Sequence, residues 1–371
     1  MGLGDRLKGL FGGKATYASM DEAVAAINAG ETGAPVDWVR GQAEAGDMRG
    51  QKLMFELCRH GVGMPADMAA GIDWLEKAAG QGDEESQSRI AGLLSVDNSP
   101  WRDPARAMPW VRLCAERGDS FMQVMLGALT LRGEGVVPDL DEARRWFDKA
   151  AEQGELDGHF AIGLAHEKGD HLPQDWDEAL RIYREIAERG SGRALHKLGM
   201  LHMLGEGVET DLPAAVGYFE RAAADGVIHA MMTLGDLYRG DRLGQPDHAE
   251  SLKWYRMAAG HDDGEAWYRV GQAYDLGRGV EQDYLKACEA FSEAASLDYD
   301  MGKVALGTKY VNGDGVVRDL PRAYALFFLV ARETDDEDAR SEARRLLTEV
   351  ADDLTPSQRA EAEQNILNWS A

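Results

Sequence analysis

The chain has 371 residues, 44% apolar and 28% charged, which is enough of both for a folded protein and excludes a disordered one. Its 40 Lys and Arg stand against 65 Asp and Glu, a net charge of −25 that argues against nucleic-acid binding and against lying flat on an anionic membrane. Three cysteines are too few for a disulfide framework and point to a reducing compartment, and no run approaches the ~18 apolar residues of a membrane span.

Residues 1–19 read as a leader. They lack the continuous apolar stretch and cleavage site of a secretory signal, so the expected location is the cytoplasm. Arg6, Lys8 and Lys14 against Asp5 make the leader basic, in contrast to the rest of the chain. Leu3, Leu7, Leu10 and Phe11 would share one face of a short helix, which suits weak docking on a membrane or a partner. The competing reading is a mobile leader broken at Gly12-Gly13.

From there the chain repeats itself. The pairs Leu126-Gly127, Ile162-Gly163, Leu198-Gly199, Leu234-Gly235, Val270-Gly271 and Leu306-Gly307 follow one another at 36 residues. In the same register lie Asp67, Asp103, Asp139, Asp175, Asp211, Asp247, Asp283 and Asp319, and Trp38, Trp74, Trp110, Trp146 and Trp254 hold another. In the unit from Asp119 to Gly154, the spacing predicts a first helix over 120–132, a break at Gly133-Glu-Gly135 and a second helix after Asp139. Asp is a preferred N-cap, because its carboxylate accepts from the otherwise orphaned N–H groups of the first turn. Gly46, Gly82, Gly118, Gly154, Gly190 and Gly226 stand where each second helix ends and suit a left-handed C′ residue. The glycine of each Leu-Gly pair lets the second helix approach closely, and bulky Trp146, Phe147 and Leu126 fill the space between hairpins. One hairpin cannot bury this stripe alone, so the fold is an all-α solenoid of stacked hairpins.

Eight such units span 47–334, preceded by a partial unit over 20–46 and followed by a polar C-terminal cap over 335–371. In the cap, Thr355-Pro-Ser-Gln358 opens a helix as a capping box. Two units deviate. The second has no Gly-x-Gly turn and carries Pro100, Pro104 and Pro109, of which Pro109 should kink its helix. The sixth has Gly240-Asp-Arg-Leu-Gly244 in place of Gly-x-Gly-Val. These places are either local distortions or recognition sites.

The pattern Leu198-Gly199-x2-His202-x2-Gly205-x-Gly207-Val208-x2-Asp211-x3-Ala215-x2-Tyr218-x3-Ala222-Ala223-x2-Gly226 resembles a Sel1-like repeat, a relative of the tetratricopeptide repeat. Gly271, Tyr274, Gly277, Gly279, Val280, Asp283 and Ala287 match it as well, and Leu354–Gln358 resembles the tails of bacterial members. The resemblance implies a right-handed superhelix whose first helices line the concave face, in an adaptor or regulator that holds another protein or peptide. A cysteine-rich branch of the family is associated with penicillin binding. Cys58, Cys114 and Cys288 fall at three different repeat positions and do not reproduce its pattern, so that association is not carried over.

No Walker A, His-Glu-x-x-His, Gly-x-Ser-x-Gly or Cys-x-x-Cys motif occurs, and nothing designates a nucleophile or a cofactor. The Gly-x-Gly elements recur in phase between helices and read as turns, not phosphate loops. His166 and His202 occupy the repeat position of Tyr238, Tyr274 and Tyr310, a packing position rather than a metal site. First-helix positions two before, two after and five after the Leu of each Leu-Gly pair should face the groove. They include Phe160, Leu164, His196, Met200, Met203, Met232, Arg239 and Tyr268, several of them apolar where the repeat does not require it. Methionine adapts to irregular surfaces, and a peptide could lie in such a groove. The competing reading buries these residues between repeats.

The expectation is therefore a cytoplasmic, bacterial, non-catalytic scaffold or regulatory adaptor. Its partner would be a protein or peptide with a basic or mixed surface, bound on the concave face. The alternatives are a hydrolase acting on a small or cell-wall-derived substrate and a structural spacer.

Overall fold

The structure, a computed structural model, describes residues 17–369, with side chains to residue 366. The leader's apolar stripe lies outside the described residues. These hold twenty α-helices and no strand. A short first pair, α1 (Met20–Asn28) and α2 (Ala34–Glu44), precedes the repeats. Then come α3 (Met48–His60) with α4 (Met68–Gly80), α5 (Glu84–Ser95) with α6 (Pro104–Glu116), and α7 (Ser120–Arg132) with α8 (Leu140–Glu152). Next are α9 (Asp157–Lys168) and α10 (Trp176–Glu188), α11 (Gly192–Leu204) with α12 (Leu212–Ala224), and α13 (Ile228–Arg239) with α14 (His248–Ala259). The last pairs are α15 (Gly264–Leu276) with α16 (Tyr284–Ser296), and α17 (Asp300–Asn312) with α18 (Leu320–Glu333). Two further helices, α19 (Glu337–Asp353) and α20 (Pro356–Trp369), close the series. The described residues form two compact units that divide between Ala179 and Leu180, inside α10.

Each hairpin turns on its aspartate, which works through both its backbone and its side chain. The carboxylates of Asp67, Asp103, Asp139, Asp175, Asp211, Asp247, Asp283 and Asp319 each accept the N–H three residues on, at 2.8–3.1 Å. The same residues donate their own N–H to the carbonyl nine residues earlier, near the end of the first helix, at 2.8–3.2 Å. One residue thus caps the second helix and satisfies an otherwise orphaned carbonyl of the first.

Close helix approach depends on the glycine of the Leu-Gly pair. A Cβ on Gly127, Gly199, Gly235, Gly271 or Gly307 would lie 2.4–2.6 Å from the ring of Phe147, Phe219, Tyr255, Phe291 or Phe327, respectively. These rings are buried against the bare backbone. The six glycines that end second helices, from Gly46 to Gly226, all have positive φ, between 81° and 98°. In the two following repeats Asp262 and Asp298 take the same place at φ 59° and 61°.

The N-terminal unit joins its hairpins partly through a polar seam. Buried Gln51, Gln87 and Gln123 donate to the carbonyls of Ala43, Ala79 and Ala115 at 3.2, 2.9 and 3.1 Å, each reaching back to the preceding second helix. Their own side-chain oxygens accept from Gln81, Arg117 and Gln153 at 2.8, 2.7 and 2.9 Å. Around the seam Phe55, Ile90, Leu94, Val111, Leu126 and Leu129 form a continuous apolar core. In the C-terminal unit the same register holds Leu195, Met231, Trp267 and Lys303. There the last core combines Val304, Phe327 and Val330 with Ala339, Ala343 and Val350 of α19, while α20 packs on α18. The capping box forms as the sequence suggests: Thr355 N–H donates to Gln358 Oε1 at 3.1 Å and Gln358 N–H to Thr355 Oγ1 at 3.4 Å.

Both deviant units keep their hairpins. In the second, α5 ends in extended Val96, and Ser99 Oγ donates to Leu93 O at 2.6 Å in a rebuilt turn. Pro109 lies inside α6, which runs unbroken from Pro104 to Glu116. In the sixth, Gly240 is extended and the turn is remade through Gly244 at φ 108°.

Two expectations follow. Gly271→Ala places a methyl group inside the Phe291 ring contact, and overpacking of this kind costs about 1–3 kcal/mol, read as a lower urea midpoint. An unchanged midpoint would show that the ring is free to withdraw. Asp83, the cap of α5, accepts from Ser86 Oγ at 2.6 Å, from Ser86 N–H at 2.9 Å and from Lys52 at 3.2 Å. The Ser86 hydroxyl first, then its N–H and Lys52, hold the carboxyl below the usual carboxylate range. Its folded pKa being depressed, its contribution is present above the ordinary value of about 4 and is lost as pH falls through the folded pKa. Acid titration of the unfolding midpoint should therefore separate the parent from Asp83→Asn above that range and bring them together below it.

Candidate functional site

Within the N-terminal unit, Leu164 is half-buried and lies with Ala128 and Leu131 in a recess of about 180 Å³ between α7 and α9, rimmed by Arg132, Lys168 and His171. Arg132 is engaged by Asp97 and Glu134. His171 adopts φ 62° at a position where five other repeats have glycine. Phe160 corrects the expectation. It is only 7% exposed, because it points into the packing between helices, and it is not available to a ligand.

In the C-terminal unit the anticipated positions divide by depth. Met203 is 9% exposed and belongs to the interior, again a correction to the groove set. Met200 and Met232 are half-buried. His196, also half-buried, packs its ring on Phe219 at 5.5 Å and on His229 at 6.3 Å between centroids. Burial first, then the neighbouring His229 and Lys197, pull its pKa down, which favours the neutral ring. Tyr268 sits between Phe291 at 5.8 Å and Tyr299 at 5.5 Å, and its hydroxyl accepts from Gln272 Nε2 at 2.8 Å. Arg239 is exposed and pairs with Asp236 at 2.8 Å. Asp236 also accepts from the Tyr255 hydroxyl at 2.8 Å; burial and this carboxylate push the phenol up to about 12.

The aromatic and histidine column packs inside the repeat. His166 is buried with Nδ1 3.3 Å from Pro173 O, and His202 stacks on Tyr218 at 5.4 Å. Among the described residues no group of three His, Cys, Asp or Glu is placed to hold a metal ion, and Cys58, Cys114 and Cys288 are buried free thiols. Nor is any described helix long and apolar enough to cross a membrane.

One recess escaped the sequence reading. At the start of the N-terminal unit, Met20, Val24 and Leu53 floor a cavity of about 290 Å³ edged by Lys52, Glu56 and Arg89. Its charges are matched internally, Lys52 to Glu85 at 2.5 Å and Arg89 to Glu56 at 2.6 Å. Lys52 and Glu56 hold the groove register of the first repeat, so carrying that register back toward the N-terminus would have found them.

Hairpins of this length, capped by aspartate and packed on bare glycine, define a helical-repeat protein of the Sel1 type. The Sel1 repeat profile matches residues 50–83, 120–155, 156–191, 192–227, 228–263, 264–299 and 301–334, and the chain belongs to that family. The unmatched unit between the first two segments is the second repeat, whose turn has no Gly-x-Gly. A protective antigen of uropathogenic Escherichia coli with an SLR fold is similar at 28% identity and TM-score 0.54, over 94% of this chain and 75% of its own. A Sel1 repeat protein from Oxalobacter formigenes is similar at 26% identity and TM-score 0.56, over 87% and 93%. No curated protein matches the sequence. Sel1 repeat proteins generally mediate protein–protein interaction.

The depressed His196 pKa yields a direct expectation. An NMR titration of its ring should give a midpoint below the ordinary 6.5, and His229→Ala should move it upward. A midpoint at or above 6.5 in the parent would mean that the ring is better solvated than its packing on Phe219 implies.

Proposed function

We propose that this chain is a non-catalytic adaptor of the bacterial cytoplasm that binds a protein or peptide partner on its first helices. Half-buried Met200 and Met232 carry the reading. They stand two after and two before the Leu of the Leu-Gly pair on neighbouring first helices, where the repeat demands no apolar residue. Half-buried thioethers offer apolar, deformable contact area without belonging to the core. Leu164 and Tyr268 extend the same choice to other repeats, each within its own unit, and His196 adds to it on the helix that carries Met200. Membership of the Sel1 family supports a binding role.

The net charge of −25 favours a partner with a basic or mixed surface and an association steered by charge. Steering of this kind weakens as salt shortens the screening length. The test is capture of the partner on the immobilised full chain, followed by mass spectrometry, beside the double variant Met200→Glu/Met232→Glu. The variant should lose the partner retained by the parent, and the parent should lose it progressively as salt rises. Equal capture by the two proteins moves the site away from these methionines, and salt-independent capture removes the electrostatic part.

A further inference from the structure

The acidic edge of the repeats reverses sign in two places. Between the two turn glycines the chain carries Glu134, Asp170, Glu206 and Asp314, yet at the same count the sixth and seventh repeats carry Arg242 and Arg278. Arg242 belongs to the rebuilt turn and donates to Met203 O at 2.9 Å. Arg278 is exposed and pairs with no carboxylate among the described residues. It opens onto a narrow cleft between α13 and α15, shared with Arg239, Arg269, Gln272, His248 and the buried Tyr255.

The cleft has more donors than acceptors. Arg239 has Asp236, but that carboxylate also takes the Tyr255 hydroxyl, at 2.8 Å from each. Arg269 pairs with Glu265 at 2.8 Å, reaches Gln272 Oε1 only at 3.5 Å, and keeps its Nε buried with no acceptor. Three guanidinium groups, against two carboxylates that are already committed, leave unfilled hydrogen-bonding capacity in a chain otherwise rich in acid.

We propose that this cleft binds the carboxylate of an aspartate or glutamate side chain in the partner's bound segment, held by Arg269 and Arg278. The proposal deepens the adaptor reading and rests on it. Size selects the ligand. The cleft holds about 20 Å³, close to what one water-sized group occupies. A planar carboxylate enters with one oxygen, and its other oxygen meets the exposed Arg278. Guanidinium forks suit carboxylates because two N–H groups meet two oxygens in one plane. The acidic surroundings repel a uniformly acidic segment, so the segment that fits has its acidic residue between basic ones.

The test uses the full chain and the heptapeptide acetyl-Lys-Ala-Ala-Glu-Ala-Ala-Lys-amide. Its Gln counterpart and a phosphoserine counterpart serve as the other arms. Binding is read from the arginine Nε–H NMR signals, assigned through Arg269→Gln and Arg278→Glu. The second substitution restores the acidic residue that four other repeats carry at this position, so it leaves the fold intact. The Glu peptide should shift the Arg269 and Arg278 signals at millimolar concentration, with affinity lowered about tenfold or more by its Gln replacement and by Arg278→Glu. No shift with the Glu peptide, equal binding of the Gln peptide, or unchanged affinity in Arg278→Glu overturns the proposal. Tighter binding of the phosphoserine peptide also overturns it, in favour of a phosphate site. If Arg278→Glu still captures the partner that Met200→Glu/Met232→Glu loses, the adaptor reading stands and only the carboxylate site falls.

Discussion

The aspartate at the head of each second helix is the contact on which the rest of this structure depends. Its carboxylate occupies the N–H groups of the turn that follows, while its own N–H closes the carbonyl end of the helix before it. Two helix ends that would each leave polar groups without partners are thereby joined at one residue. The glycine–ring contact works beside that joint: Phe147, Phe219, Tyr255, Phe291 and Phe327 lie on bare backbone within the hairpins that the aspartates close. Removing either feature would leave the other without its geometric support.

The parts of the fold decided by local chemistry were legible in the amino-acid order. Aspartate caps, left-handed glycines and the Thr355–Gln358 box each follow from a few neighbouring atoms. The rebuilt turns were less legible. Missing glycines in the second and sixth repeats suggested distortion, but Asp103 and Asp247 keep both hairpins closed across altered connections. Left-handed His171, Asp262 and Asp298 also escaped, although the repeat register puts each of them where other repeats carry a left-handed glycine. At the candidate site the helical register was readable and depth was not. Phe160 and Met203 share the pattern of Met200 and Met232, and only packing by neighbouring helices separates interior from surface.

The two units use different means to hold successive hairpins together. In the first, a line of glutamines reaches from one repeat to main-chain oxygens of the one before, a directional tie that specifies register. In the second, leucine, methionine and tryptophan take that place and supply area without direction. Lys303, the last of the series, turns to Asp298 and Asp300. The surface differs as well, for the reversal from acidic to basic at Arg242 and Arg278 occurs only in the C-terminal unit.

The survival of the hairpin at Asp103 separates the anchor of this fold from its connector. Because the clamp is completed on the far side of the loop, Asp103 joins the flanking helices even though residues 96–102 depart from the turn of the other repeats. Connections of this kind are where a chain can take up altered sequence while the helices on either side keep their joint.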